Sequence, residues 1–307
     1  MKLEDQPNII PNFLKGLLIE QYGEQISNNI INGYTCKRKS SFRVNTLKST
    51  VKEIKEVLDK EKIKYSQADW YDEAIIIDSN AENSVKRLNI YDEGKIYFQS
   101  LSSMIPPIIL EPKENEDILD MTAAPGSKTT QISAMTNGRA LITAIEKNKI
   151  RAERLKYNIE KSGAPRINVL VQDARKLDDI FSFDKILLDA PCSGSGTLDI
   201  NNNNINESFT EELIFRSTKL QYELLRKAIK ILKPGHEIVY STCSILKQEN
   251  EENIKKILKD GNVEVVPIDD KITGNMPQLP VTVEGTICII PNELYEGFFI
   301  AKLRKIK

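Results

Sequence analysis

From Ile96 to the last residue, short apolar runs of strand length alternate with stretches of helical spacing. That alternation admits few folds: it is the pattern of a parallel sheet covered by helices on both faces. The runs predict strands at Asp117–Met121, Ala140–Glu146, Ile167–Gln172, Asp184–Asp189 and Glu237–Cys243, with two more at Val263–Ile268 and Gly297–Leu303. Helices are predicted near Lys128–Met135, Lys149–Lys161, Glu211–Leu232 and Glu249–Lys259. Before Ile96 the texture differs. Residues 9 to about 32 have helical spacing broken at Gly23. Phe42–Leu47 and Ala74–Ile77 read as strands, and Val51–Lys60 as an amphipathic helix with Ile54, Val57 and Leu58 inward. The expected organisation is a helical segment and small α+β module over residues 1–95, then an α/β domain over residues 96–307. Asn201–Asn206 is a polar, low-complexity stretch predicted as a mobile loop.

Several classes of function are disfavoured by composition. The 307 residues include a single histidine, His236, in a predicted turn, which argues against serine–histidine hydrolases and multi-histidine metal sites. The four cysteines, Cys36, Cys192, Cys243 and Cys288, never form a C-x-x-C pair, so neither a zinc knuckle nor a disulfide framework is expected. No apolar stretch is long enough to span a bilayer and the first residues lack the apolar core of a signal peptide; the expectation is a cytoplasmic monomer without metal or membrane. A net charge of −1 does not by itself favour a nucleic-acid partner. Local clusters differ: Lys37, Arg38, Lys39 and Arg43 carry no intervening acid, and a second basic run covers Lys147–Lys156.

Cys192 follows one predicted strand and Cys243 ends another, in Asp189-Ala-Pro-Cys-Ser-Gly194 and Ser241-Thr-Cys-Ser244. The carboxyl ends of parallel strands are where ligands gather in open α/β sheets. Two thiols at that edge suggest a nucleophile and an assisting thiol. A tight turn, Met121-Thr-Ala-Ala-Pro-Gly-Ser-Lys128, links the first strand to its helix, with small residues that let backbone approach a ligand. It is neither a P-loop, since Ser127 precedes Lys128, nor a G-x-G-x-x-G fingerprint. Acids close four successive strands: Asp120, Glu146, Asp173 and Asp189. Such a set suits a neutral-to-cationic nucleoside such as S-adenosylmethionine better than a pyrophosphate.

Taken with Arg43-Val-Asn-Thr-Leu-Lys48, Tyr97–Ser103, Leu232-Lys-Pro-Gly235, Glu249-Asn-Glu-Glu252 and Glu296–Ala301, these motifs resemble the Sun-type (Fmu-type) RNA cytosine-5 methyltransferases over almost the whole chain. The resemblance implies a Rossmann-like, seven-stranded methyltransferase sheet, S-adenosylmethionine as methyl donor and a cytosine in RNA as target, with tRNA favoured over rRNA. It implies that Thr122, Ala123, Ala124, Pro125, Gly126, Ser127, Lys128, Glu146, Arg151, Asp173 and Asp189 line the cofactor site. It further implies Cys243 as nucleophile, Cys192 as the thiol that assists release, and Asp189 and Lys128 as their helpers. Lys37, Arg38, Lys39 and Arg43, with Phe42, are expected to hold RNA. Three departures stand out: Thr122 where cysteine is usual, Ser127 in place of glycine, expected to narrow the pocket, and His236 where a second glycine is common.

Overall fold

The computed structural model describes residues 10–198 and 209–307; the predicted Asn201–Asn206 loop lies outside them. The large sheet is built on β5 (Asp117–Asp120), β6 (Leu141–Ile145), β7 (Ile167–Leu170), β8 (Phe183–Asp189) and β9 (Leu232–Thr242). These pair in parallel in the order β9-β8-β5-β6-β7. Their cores are apolar on both faces, as with Ile186, Leu187 and Leu188, all at 0% exposure, the composition expected of strands covered on both sides. β13 (Phe298–Lys305) joins β9 antiparallel, β10 (Val263–Val265) pairs with β13, and β11 (Gln278–Leu279) and β12 (Ile287–Ile289) extend that edge. The seven expected strands are therefore present, with two short ones added. The chain leaves β5 towards β6 and β7, then returns to β8 on the other flank of β5. Strand order reverses there, and the crevice beyond the carboxyl ends at such a point is a ready ligand site.

A second sheet, in the order β2 (Tyr65–Gln67), β3 (Ala74–Ile77), β1 (Ser40–Val44), β4 (Ile96–Phe98), forms the small module. Helix Val51–Lys60 packs Ile54 and Leu58 onto it and starts in a full capping box between Thr50 and Glu53. Because β4 completes this sheet, the expected boundary at residues 95/96 falls before a strand that belongs to the module. Helix Leu101–Leu110 is not among the predicted elements and contains Pro106 and Pro107, residues that disfavour a helix interior. It forms because its apolar residues are buried against β8 and β9, and the Ser103 carbonyl, whose usual partner Pro107 cannot supply, accepts from Gln99 Nε2 at 3.0 Å. The helical segment Asn12–Thr35, kinked at Gly23, supplies none of the described residues in the core of the small module. Leu14, Leu18, Ile30 and Tyr34 enter the core of the large domain instead. None of the described helices is long and apolar enough to cross a membrane.

Candidate active site

A cavity of about 220 Å³ opens at the carboxyl ends of β5, β6 and β8. Thr122, Ala124, Glu146, Arg151, Asp173 and Asp189 line it, together with Cys192 and Cys243. The turn that makes one wall is held by hydrogen bonds: Arg151 donates to the Ala124 carbonyl at 2.8 Å, and Thr122 Oγ1 to the Asp189 carbonyl at 2.8 Å. Gly126 closes the turn at φ +107 and stands before helix Ser127–Met135; a side chain at that φ is strained, which explains the glycine. Ala123, Pro125, Gly126, Ser127 and Lys128 shape this turn without lining the cavity. Ser127 therefore does not narrow it.

The cavity suits a nucleoside with a positive centre. Glu146 is almost fully buried, accepts from the Asn148 N–H at 2.8 Å and faces Arg151 at 3.6 Å, leaving acceptor capacity for hydroxyls. Asp173 lies lower than an ordinary carboxyl because Arg175 bonds it. It also caps the short helical turn Ala174–Lys176, so capping and lining coexist in one residue. Ile145, Leu220 and Leu224 supply apolar wall, the kind of surface a base needs. Gln172 and Lys147 also line the cavity; sequence reasoning missed them, although both neighbour a strand-end acid, which was the available signal.

β8 and β9 lie side by side, with Asp189 opposite Ser241. Their following loops therefore bring Cys192 and Cys243 together, with Sγ atoms 3.0 Å apart. All four cysteines are free thiols, Cys36 exposed and Cys288 buried. The Cys243 sulfur and burial push the Cys192 thiol well above its usual value. Gly196, in the loop after Cys192, lets that loop pack against the segment leading into β13: a Cβ there would sit 2.0 Å from the Gly297 carbonyl oxygen. Beside the thiols, Lys128 Nζ donates to Asp189 Oδ2 at 2.7 Å and to Ser103 Oγ at 2.7 Å, while Ser241 Oγ donates to Asp189 Oδ1 at 2.8 Å. Lys128 thus pairs with a carboxylate and its hydrogen bonds do not go to a thiol. The Phe298 ring lies 5.6 Å from its ammonium, close enough for a cation–π contact.

Lys37, Arg38 and Lys39 line a separate cleft of about 520 Å³, with Phe98, Ser100 and Glu296. Two expected RNA-contact residues are placed elsewhere. Arg43 is 1% exposed, bonded to Thr130 at 3.2 Å and Gln99 at 3.4 Å, and Phe42 is in the core of the small module. The alternation of β1 turns Phe42 onto its own helix and Arg43 onto the large domain. Both are corrections: Arg43 joins the two domains and has no surface to offer RNA.

A family model described as 16S rRNA methyltransferase RsmB/F matches residues 107–304, and one described as an RsmF/B-like, ferredoxin-like domain matches residues 10–83. The tRNA (cytosine(49)-C(5))-methyltransferase of Pyrococcus abyssi is 35% identical over 298 residues, covering 94% of this chain and 95% of that protein. Ribosomal RNA small subunit methyltransferase F of Shewanella loihica is 35% identical over 280 residues, covering 87% of this chain. The chain spans only 57% of that protein's length, and 56% of the tRNA (cytosine(72)-C(5))-methyltransferase of Pyrococcus horikoshii. Among solved structures, NSun6 from Pyrococcus horikoshii with SFG superposes with a TM-score of 0.87 at 26% identity, covering 98% of this chain and 99% of that one. A methyltransferase homolog protein from the same organism gives 0.81 at 30% identity, covering 97% and 100%. The chain belongs to the Sun-type RNA cytosine-5 methyltransferase family, the family of RsmB/F.

Proposed function

We propose that this protein transfers a methyl group from S-adenosylmethionine to carbon 5 of a cytosine in RNA, with tRNA as the favoured substrate, through a covalent bond to Cys243. The single observation that carries the reading is the meeting of two thiols from adjacent strand ends beside the Lys128–Asp189 pair. Carbon 5 of cytosine is a weak nucleophile, and addition of a thiolate to carbon 6 makes the ring enamine-like. Cys243 is the nucleophile that its family motif Ser241-Thr-Cys-Ser244 implies, and Cys192 is the second thiol held against it. Asp189, oriented by Lys128 and Ser241, passes a proton from the Lys128 ammonium to the ring nitrogen as negative charge builds there. Carbon 5 would then bond to the methyl group as the methyl's bond to the donor sulfur breaks and leaves its electron pair on that sulfur. Loss of the carbon 5 proton to water, return of the nitrogen proton to the Lys128–Asp189 pair and departure of the Cys243 sulfur as thiolate restore the aromatic ring, and Cys192 assists that second phase.

Glu146 and Asp173 would hold the hydroxyl and amine edges of the methyl donor, with Thr122 and Ala124 beneath it. When bound, that group supplies an electrophilic methyl on a sulfonium, which the acid-rich rim complements. RNA would enter along the Lys37–Lys39 cleft, whose residues Ser100 and Glu296 hydrogen-bond each other at 2.7 Å two positions before Phe298. The target base has to be unstacked to present its face. The preference for tRNA is supported by the likeness to the tRNA enzyme of Pyrococcus abyssi, 35% identical over 94% of this chain.

The test is transfer of labelled methyl groups into separate transcripts of tRNA and small-subunit rRNA, followed by bisulfite mapping. The expected product is 5-methylcytosine in tRNA. Labelling of rRNA alone would favour the second reading, an rRNA enzyme, and labelling of neither would overturn both.

A further inference from the structure

A buried carboxylate fastens the two cysteine loops to each other. Glu249 is 0% exposed. Its Oε1 accepts from the Ser193 backbone N–H at 2.8 Å and from Gln221 Nε2 at 3.2 Å. Its Oε2 accepts from the hydroxyls of Ser193 and Ser244, each at 2.5 Å. Ser193 immediately follows Cys192, and Ser244 immediately follows Cys243, so one side chain grips the residue next to each thiol. The grip is reinforced: Ser195 and Ser244 hydroxyls bond at 2.8 Å, and the Gly196 N–H donates to the Cys243 carbonyl at 3.0 Å.

None of the hydrogen-bond partners of Glu249 among the described residues carries a positive charge. A buried carboxylate without a cation is costly, and it is tolerated here because four donors satisfy it. Neutral side chains could pack the same space more cheaply. What a carboxylate adds is two acceptor oxygens in a fixed plane, able to bind donors from both loops at once. Its beneficiary is the distance between the sulfurs.

We propose that Glu249 is a positioning residue that locks the Cys192 and Cys243 loops in register and so sets the spacing of the two thiols. The inference rests on reading the pair as catalytic, yet the spacing can be measured without RNA. The Glu249 charge also adds to the rise of the Cys192 thiol, behind the Cys243 sulfur and burial.

The probe is the rate at which the full-length protein closes a Cys192–Cys243 disulfide with diamide. Two S–H bonds break, one S–S bond forms, and the azo group takes up both protons and two electrons as a hydrazine. Displacement of reacting atoms by about 1 Å can cost about 100-fold in rate, so Glu249→Ala is expected to slow closure by about ten-fold or more. The same variant should lower kcat for methyl transfer with KM for RNA and methyl donor held within about two-fold. Glu249→Gln, whose amide keeps the shape and lets the serine hydroxyls turn to accept, should restore most of both rates. If Glu249→Ala does not fold, Ser193→Ala combined with Ser244→Ala removes the hydroxyl donors from both loops and should slow closure likewise. Closure at the wild-type rate in Glu249→Ala, or in the double serine variant where the alanine variant does not fold, overturns the proposal and leaves the proposed reaction standing. Slowed closure in a protein whose wild type methylates no RNA would instead sink the reaction and keep the positioning role.

Discussion

β8 and β9 carry an ion pair at each end, and the two pairs behave differently. At the amino end Lys185 donates to Glu237 at 2.7 Å, and Lys302 and Arg304 approach the same carboxylate at 3.2 and 2.8 Å. At the carboxyl end Asp189 has one cation, Lys128, at 2.7 Å, one hydroxyl from Ser241, and a side open to the cavity. Glu237 is saturated: despite burial, its cations hold it down to about 2. Asp189 is left partly unsatisfied where a ligand can reach it. A buried ion pair is therefore no mark of function by itself, and what distinguishes the two ends is the open side of the acid.

The contrast can be broken by substitution. Asp189→Ala is expected to lower kcat for methyl transfer, measured per folded molecule, about 10²- to 10³-fold, the range for losing one oriented electrostatic group. An equal loss in Glu237→Gln, measured per folded molecule, would erase the distinction. Glu237→Gln should instead destabilise the fold by about 3 kcal/mol by leaving cations unpaired, read as a shift in urea midpoint, with kcat unchanged.

Acid titration sharpens the same comparison. Because the folded value of Glu237 is depressed, its stabilisation is present above the unfolded carboxylate range and is lost as pH falls towards about 2. Asp120 has the opposite sign. Fully buried at the end of β5 beside Thr129, 2.6 Å away, it is raised from 3.8 to about 6 mainly by burial. Its contribution is favourable below pH 4 and lost as pH rises through 6. Asp120→Asn should therefore stabilise the protein at pH 7.5, by at most about 3 kcal/mol, and give no gain at pH 4. Denaturation midpoints at the two pH values check it; a gain at pH 4 equal to that at pH 7.5 would contradict the assignment.

The smallest effect is expected at the basic cleft. Lys37→Ala combined with Lys39→Ala should weaken RNA binding by a few-fold and flatten its dependence on salt by about one to two units of slope, with kcat retained. Arg43→Ala should leave the salt slope untouched, since Arg43 faces Thr130 and Gln99 inside the protein.

The parallel strands and their helices were legible because each is a local pattern, an apolar run or a helical period, that burial rewards. The meeting of Cys192 and Cys243 was suggested for a similar reason: one thiol follows and the other ends a strand predicted for one sheet edge. What stayed hidden depends on partners distant in sequence. Arg43 looks like a surface cation within a basic cluster; its burial follows from residues 56 and 87 positions away. Helix Leu101–Leu110 overrides two prolines through burial against β8 and β9, which no local window contains. Strand β4 is three residues long and is defined by β1, more than fifty residues upstream. The N-terminal helix likewise finds its place through Tyr22, whose hydroxyl donates to the Ile245 carbonyl at 2.5 Å, and Tyr34, which reaches Ser195 at 2.6 Å.

The central claim is the inequality of the two thiols, and one gel tests it. Cys192→Ala, incubated with RNA and methyl donor and run under denaturing conditions, is predicted to show a covalent protein–RNA band. That band should vanish in the Cys192→Ala/Cys243→Ala double variant. A band that forms with Cys243→Ala and not with Cys192→Ala would reverse the roles and contradict the account.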